Sequence, residues 1–213
     1  GHREWDPALA AGNLDVIFAG QQSTGLVPYM INDELAALSL PGMTQPPVQG
    51  FVAGEIATAG GAKDTAWLAA MYGKGNDYLR YWARNRDTDK DGLYEYASGF
   101  ETGWDDTPRY HCKGTSNLCL NEVTTIDALD LNAWIYLYYG FMARAAALLG
   151  KSGEVAGWEE KAQTLAENID EKMWDGDAGC YYDTEIDPTG AAVDRKAGAH
   201  AFITVGSPVM LWP

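Results

Sequence analysis

Two apolar stripes at helical spacing, parted by one glycine, constrain this chain more than any other feature. Leu131, Trp134, Ile135, Tyr138, Met142, Ala145 and Leu149 trace one face of a helix, and Gly150 stops it. Ser152 stands where it can cap a further helix, whose stripe is Val155, Trp158, Ala162, Leu165, Ala166, Ile169 and Met173. An aromatic stripe at this spacing reads as core rather than as a cofactor box. Upstream the pattern repeats. Leu9, Leu14, Ile17 and Phe18 share a face between Pro7 and about Ala19, with Pro7 tolerated in the first turn. Pro46 and Pro47 open another helix carrying Val48, Phe51, Val52 and Ile56. From Asp64 to about Arg84 a long helical pattern is weakened by Gly73 and Gly75, which predict a joint between two helices. Cys180 to Thr184 reads as a short strand or extended loop, and Gly206 to Pro213 as the opening of another helix. Helix after helix with no strand-rich region predicts an all-α toroid.

Charge and length narrow the function. The chain has 213 residues and a formal net charge of −15, so a phosphate backbone would be repelled while neutral sugars are indifferent to the field. Its eight tryptophans and twelve tyrosines suit a sizeable core plus an aromatic-lined cleft. No run of about 18 apolar residues spans a membrane, and no charged segment followed by an apolar core opens the chain. Three cysteines are too few for a disulfide framework; Cys112 and Cys119 either close a small staple or stay free, and Cys180 is left over. Cysteine usage leaves the compartment open, with a lean towards an exported or periplasmic enzyme. The three histidines, His2, His111 and His200, are scattered, and no zinc-ligand spacing accompanies the cysteines.

Chemistry concentrates in Glu101-Thr102-Gly103-Trp104-Asp105-Asp106-Thr107-Pro108-Arg109-Tyr110. Gly103 and Pro108 exclude a plain helix and predict a rigid loop. Its carboxylates suit acid–base work on a glycosidic bond, and its aromatics and arginine suit sugar binding. On composition alone, the same stretch also fits a solvated turn with one buried tryptophan. Ahead of it, Asp87-Thr88-Asp89-Lys90-Asp91-Gly92-Leu93-Tyr94-Glu95 has the alternating carboxylates and sharp-turn glycine of the front half of a calcium loop. The glutamate expected at the twelfth position is replaced by Ser98, and Glu95 is a candidate substitute, with the Leu93 carbonyl between. The alternative is an Asp-rich turn holding no metal.

The decapeptide resembles the signature E-[ST]-G-x-D-[NDF]-[ST]-[PS]-R of the inverting α-glycosidases of glycoside hydrolase family 63, which family 37 trehalases share more loosely. The stretch from Asp6 through Gln21 and Gly25 to Pro28, Thr44-Gln45-Pro46-Pro47, the Asp87 loop and Asp130-Leu131-Asn132 are similar to family elements in the same order. The resemblance implies part of an (α/α)6 barrel of antiparallel helix pairs, one catalytic domain over residues 1–213, truncated at both ends. It implies inverting hydrolysis of α-glucosidic bonds in oligosaccharides, with Asp105 as general acid and Asp106 turned away. Trp104 and Tyr110 would line the sugar site, Gly103 would allow close approach, and Gln45 would hydrogen-bond the sugar. The residues alone read Gln45 as solvated beside a helix start. Arg109 would bind substrate or, more in keeping with its setting, fix the loop by an ion pair. Asp130 is read as stabilising a helix N-terminus rather than touching sugar. The Asp87, Asp89, Asp91, Leu93 and Glu95 loop would hold a structural Ca2+, and no cofactor is needed for the chemistry. The general base would be a glutamate beyond Pro213, leaving the chain alone inactive or nearly so. Two other readings stand beside this one. One is mannosylglycerate hydrolase or trehalase-like activity on the same scaffold; the other is a non-catalytic, calcium-stabilised helical domain that binds carbohydrate.

Overall fold

The computed structural model describes residues 6–31, 42–59, 65–103 and 126–186. Five helices carry it: α1 (Pro7–Ala19), α2 (Gln49–Ala59), α3 (Thr65–Asn85), α4 (Leu129–Leu148) and α5 (Ser152–Met173). A 3-10 turn over Gly99–Thr102 and four two-residue strands accompany them among the described residues, β1 (Ile126–Asp127), β2 (Trp174–Asp175), β3 (Cys180–Tyr181) and β4 (Thr184–Glu185). β1 pairs antiparallel with β4, and β2 with β3 in a hairpin after α5.

Helix α4 is the centre. Thirteen of its twenty residues are buried, so more than one face needs a neighbour, and α5, α2 and α3 all pack on it. Tyr138 of α4 meets Tyr78 of α3 edge-on at 6.3 Å between ring centroids, and Tyr78 meets Phe18 of α1 and Trp82 of α3 likewise. Gly150, at φ 71°, ends the α4 segment as its position predicts. No side chain caps α4 from within its own turn; instead Asp183 Oδ1, from the loop after β3, accepts from Leu129 N at 2.9 Å. Asp183→Ala should therefore cost about 1 kcal/mol in urea denaturation, a capping loss delivered from 54 residues away.

Several expectations are corrected. Helix α3 runs unbroken through Gly73 and Gly75. A Cβ on Gly75 would sit 3.0 Å from Tyr138 Cε2 and 3.2 Å from Met142 Sδ, so this glycine serves close packing on α4 rather than a joint. Ser152 is the first residue of α5, not its cap. On α1 only Leu14 and Phe18 are buried, while Leu9 and Ile17 are exposed. On α2 Phe51 is exposed, and the inward face is Gly50, Ala53, Gly54 and Ile56. Gly50, Ala53 and Gly54 let α2 approach the bulky face of α4.

That approach makes opposite predictions for two helical glycines. Gly73 has nothing within 4 Å of a built Cβ, so Gly73→Ala should stabilise by about 0.5–1 kcal/mol through helix propensity. At Gly50 the same Cβ would lie 2.2 Å from Tyr138 Cγ, with Tyr138 itself buried. Gly50→Ala should destabilise by about 1–3 kcal/mol despite its better propensity, as urea titration of the pair would show.

Candidate functional site

The segment following α3 turns back on itself. Lys90 and Gly92 adopt positive φ, 64° and 86°, and the aspartate side chains close the turns. Leu93 N donates to Asp91 Oδ1 at 2.8 Å, Asp91 N to Asp89 Oδ1 at 3.3 Å, and Gly92 N to Asp87 Oδ1 at 3.4 Å. One oxygen from each of Asp87, Asp89 and Asp91 falls within 4.8 Å of the others. Lys172 of α5 reaches Asp91 Oδ2 at 2.8 Å, and Leu93 is fully buried.

Glu95 departs from the expected bidentate role. Its Oε1 accepts from Thr88 N at 2.9 Å and Thr88 Oγ1 at 2.7 Å, leaving Oε2 buried without a donor. Glu95 also forms an antiparallel bridge with Asp127 of β1, whose Oδ1 is buried and undonated as well. Burial, then the charges of Asp91, Glu95 and Asp89, push the Asp127 carboxyl up to about 8. Burial likewise raises Glu95, and burial with Asp91 and Asp87 raises Asp89. The all-oxygen, anionic group of Asp87, Asp89 and Asp91 fits a hard cation such as calcium.

The second feature is Glu101, the first residue of the decapeptide, in a 3-10 turn over Gly99–Thr102. It is wholly buried and its carboxylate is surrounded by donors: Arg86 Nη2 at 2.7 Å, Thr44 N at 2.8 Å and Ala97 N at 2.6 Å. Burial pushes this carboxyl above its ordinary value, against the pull of Arg86 and the amides. Arg86 Nη2 also donates to Gly42 O at 2.7 Å. Thr44 Oγ1 donates to Val27 O at 2.6 Å and Tyr78 OH to the Gln45 carbonyl at 2.9 Å, their oxygens 2.7 Å apart. Burial keeps the Tyr78 phenol neutral and therefore a donor. The clamp thus fixes the Gln45 backbone against the start of the decapeptide, and Arg86 joins both to the Asp87 loop.

Gln45 itself is half-buried, its Nε2 donating to Tyr29 O at 3.3 Å, rather than solvated at a helix start. Gly103 is exposed at φ 69°, so the left-handed turn after the 3-10 segment is what requires glycine there. Trp104, Asp105, Asp106, Arg109 and Tyr110 lie outside the described residues, as do Cys112, Cys119 and the histidines. Cys180 is a free thiol. Asp130 sits in the first turn of α4 as expected, with its Oδ2 accepting from Tyr96 OH at 3.0 Å. The sequence reading missed Arg86, Thr44, Tyr78 and Asp127. Only the decapeptide's leading glutamate offered a hint, since a buried carboxylate requires a cationic partner.

Among solved structures, a GH63 mannosylglycerate hydrolase from Thermus thermophilus in complex with glucose superposes with a TM-score of 0.67 at 17% identity, covering 84% of this chain and 58% of that one. The same hydrolase with Tris and D-glycerate gives a TM-score of 0.62 at 17% identity over 84% of this chain and 57% of that chain. An uncharacterized conserved protein of Thermus thermophilus gives 0.65 at 18% identity, covering 84% and 56%. The chain therefore spans well under two thirds of the length of these structures, and the likeness establishes the helical-barrel fold. The family model for the mannosylglycerate hydrolase MGH1-like glycoside hydrolase domain matches residues 1–206. With that match over nearly its whole length, and with the family 63 signature at its centre, the chain belongs to the MGH1-like glycoside hydrolases.

Proposed function

We propose that this chain carries the acid-bearing part of an inverting glycosidase site, with Asp105 as the general acid that protonates the leaving oxygen. The observation that supports it most is the Glu101 clamp. It holds the start of the Asp105 loop and the Gln45 backbone in one rigid frame, as a positioned proton donor beside a sugar subsite requires. Gln45, Gly103, Trp104, Arg109 and Tyr110 would form the sugar-facing surface. A second carboxylate, the base, would stand about 6.5–9.5 Å from the acid to leave room for water. The substrate class is a small α-glycoside. The α-glucosidic reading rests on the decapeptide, whereas the family match brings mannosylglycerate forward as the first substrate to try.

Asp87, Asp89 and Asp91, with the Leu93 carbonyl, would hold a calcium ion that shapes the approach to the loop and takes no part in the chemistry. The deciding experiment offers the complete gene product mannosylglycerate, trehalose and α-glucosides, and follows the product anomer by proton NMR. Release of a β-sugar from an α-glycoside supports the reading. Retention of configuration, or no turnover on the whole panel, overturns it.

A further inference from the structure

We infer that the outward side of the α2–α4 seam docks a further helix of the same gene product, which brings an acidic residue to Arg144. Helix faces turned to water carry charge. Those of α3 and α5 do, with Arg80, Arg84, Glu159, Glu160 and Lys161 exposed. Helix α2 has one charged residue, Glu55, and α4 has two, Asp130 and Arg144. Yet both leave apolar surface uncovered. Phe51 is 43% exposed and Leu148 53%, while Trp134 and Leu137 are only half-buried.

Helical period sets these residues on one side of the seam. Phe51, Gly54 and Thr58 follow at steps of three and four along α2, as do Trp134, Leu137, Phe141, Ala145 and Leu148 along α4. The rings of Phe51 and Trp134 join the two rows, with centroids 6.0 Å apart. Further along, the rows part around a cavity of about 220 Å³ walled by Gly54, Ala57, Leu68, Phe141, Ala145 and Leu148. Close-packed interiors keep few voids of that size, so an open apolar dent between two helices suits a side chain from a third. Arg144 borders the same cavity, and a Cβ on Gly54 would lie 2.7 Å from its Nη2. Its guanidinium therefore lies across α2, and among the described residues it has neither a hydrogen bond nor an ion pair. A guanidinium held on an apolar wall is placed for a carboxylate on whatever covers that wall.

The length of the stripe identifies the occupant. Trp134 to Leu148 spans about 21 Å at 1.5 Å per residue, which a helix covers and a sugar does not. Structures of the same helical-barrel fold are longer than this chain, which spans 58% of one of them. Further helices of that barrel are the source of the missing neighbour.

The test compares Leu148→Glu in the 213-residue chain and in the complete gene product by thermal melting. In the chain alone position 148 faces water, and the melting temperature should stay within about 1 °C. In the complete gene product the new charge would be buried, and the melting temperature should fall by about 5 °C or more. Arg144→Glu should lower it there too, by setting two carboxylates against each other. An equal effect of Leu148→Glu in both proteins, or a gene product that ends at Pro213, overturns the interface. A fall with Leu148→Glu but none with Arg144→Glu overturns the acidic partner. A dimer of the complete gene product that Leu148→Glu dissociates gives the face to a second copy and overturns the proposal. If the chain alone does not fold, maleimide labelling of Leu148→Cys in the native gene product decides. Labelling about tenfold or more slower than in urea supports a covered face, and equal rates overturn it.

Discussion

Asp105→Asn in the complete gene product should lower kcat by about 10²–10⁴-fold, the usual contribution of a positioned general acid. KM should move little, because the amide keeps the shape of the carboxyl and its contacts in the ground state. The physical reason is specific. A departing alkoxide must be protonated as the bond breaks, and a carboxamide has no proton to give at neutral pH. A substrate whose leaving group needs no proton, such as a glycosyl fluoride, should therefore lose much less. The alkaline limb of the pH–rate profile, which reports loss of the acid's proton, should vanish in the variant. An unchanged kcat would refute the assignment and favour a domain that binds carbohydrate without cleaving it.

Arg86→Leu should be the most destabilising single change in the described structure. Arg86 is about 10% exposed at its side chain and Glu101 0%, so the pair lies out of water. Removing the guanidinium leaves a buried carboxylate held only by amides, which costs about 3–5 kcal/mol. The same change releases the Gly42 carbonyl and the contacts of the guanidinium with the Tyr81 and Trp82 rings. Urea denaturation followed by circular dichroism would measure the loss. The double variant Arg86→Leu with Glu101→Leu should recover part of it, since no uncompensated charge then remains. In an active gene product the milder Glu101→Gln should raise KM as well as lower kcat. It loosens Thr44, and with it the Gln45 loop, without touching the acid. Full stability in Arg86→Leu would mean that the clamp adds nothing to the fold.

Helices α4 and α5 are legible because each has a long stripe of 3.6-residue period and a clear break between them at Gly150. Where the stripe is short the reading errs. Spacing assigns Leu9, Ile17 and Phe51 to buried faces, yet they are exposed: α1 buries only Leu14 and Phe18, and α2 turns Gly50, Ala53, Gly54 and Ile56 inward. Gly75 is a weakness by propensity alone, while its function depends on Tyr138, which lies 63 residues further on (138 − 75). The Asp87 loop is legible because its carboxylate pattern is local, with alternate residues in one tight turn. The frame of the Asp105 loop is not. Thr44 and Glu101 meet from 57 residues apart, and no periodicity marks either one.

The sequence by itself determined the local facts: where helices run and stop, which turn gathers three aspartates, and which decapeptide carries acid and aromatic groups together. Those follow from short-range sterics, propensity and side-chain period, which are written in consecutive residues. The tertiary structure decided the partners. Packing α3 beside α4 set Arg86 on Glu101, pressed Gly50 and Gly75 against Tyr138, and laid Asp127 opposite Glu95. Such pairings are long-range because burial, not neighbourhood along the chain, is what forces a charge to find its complement.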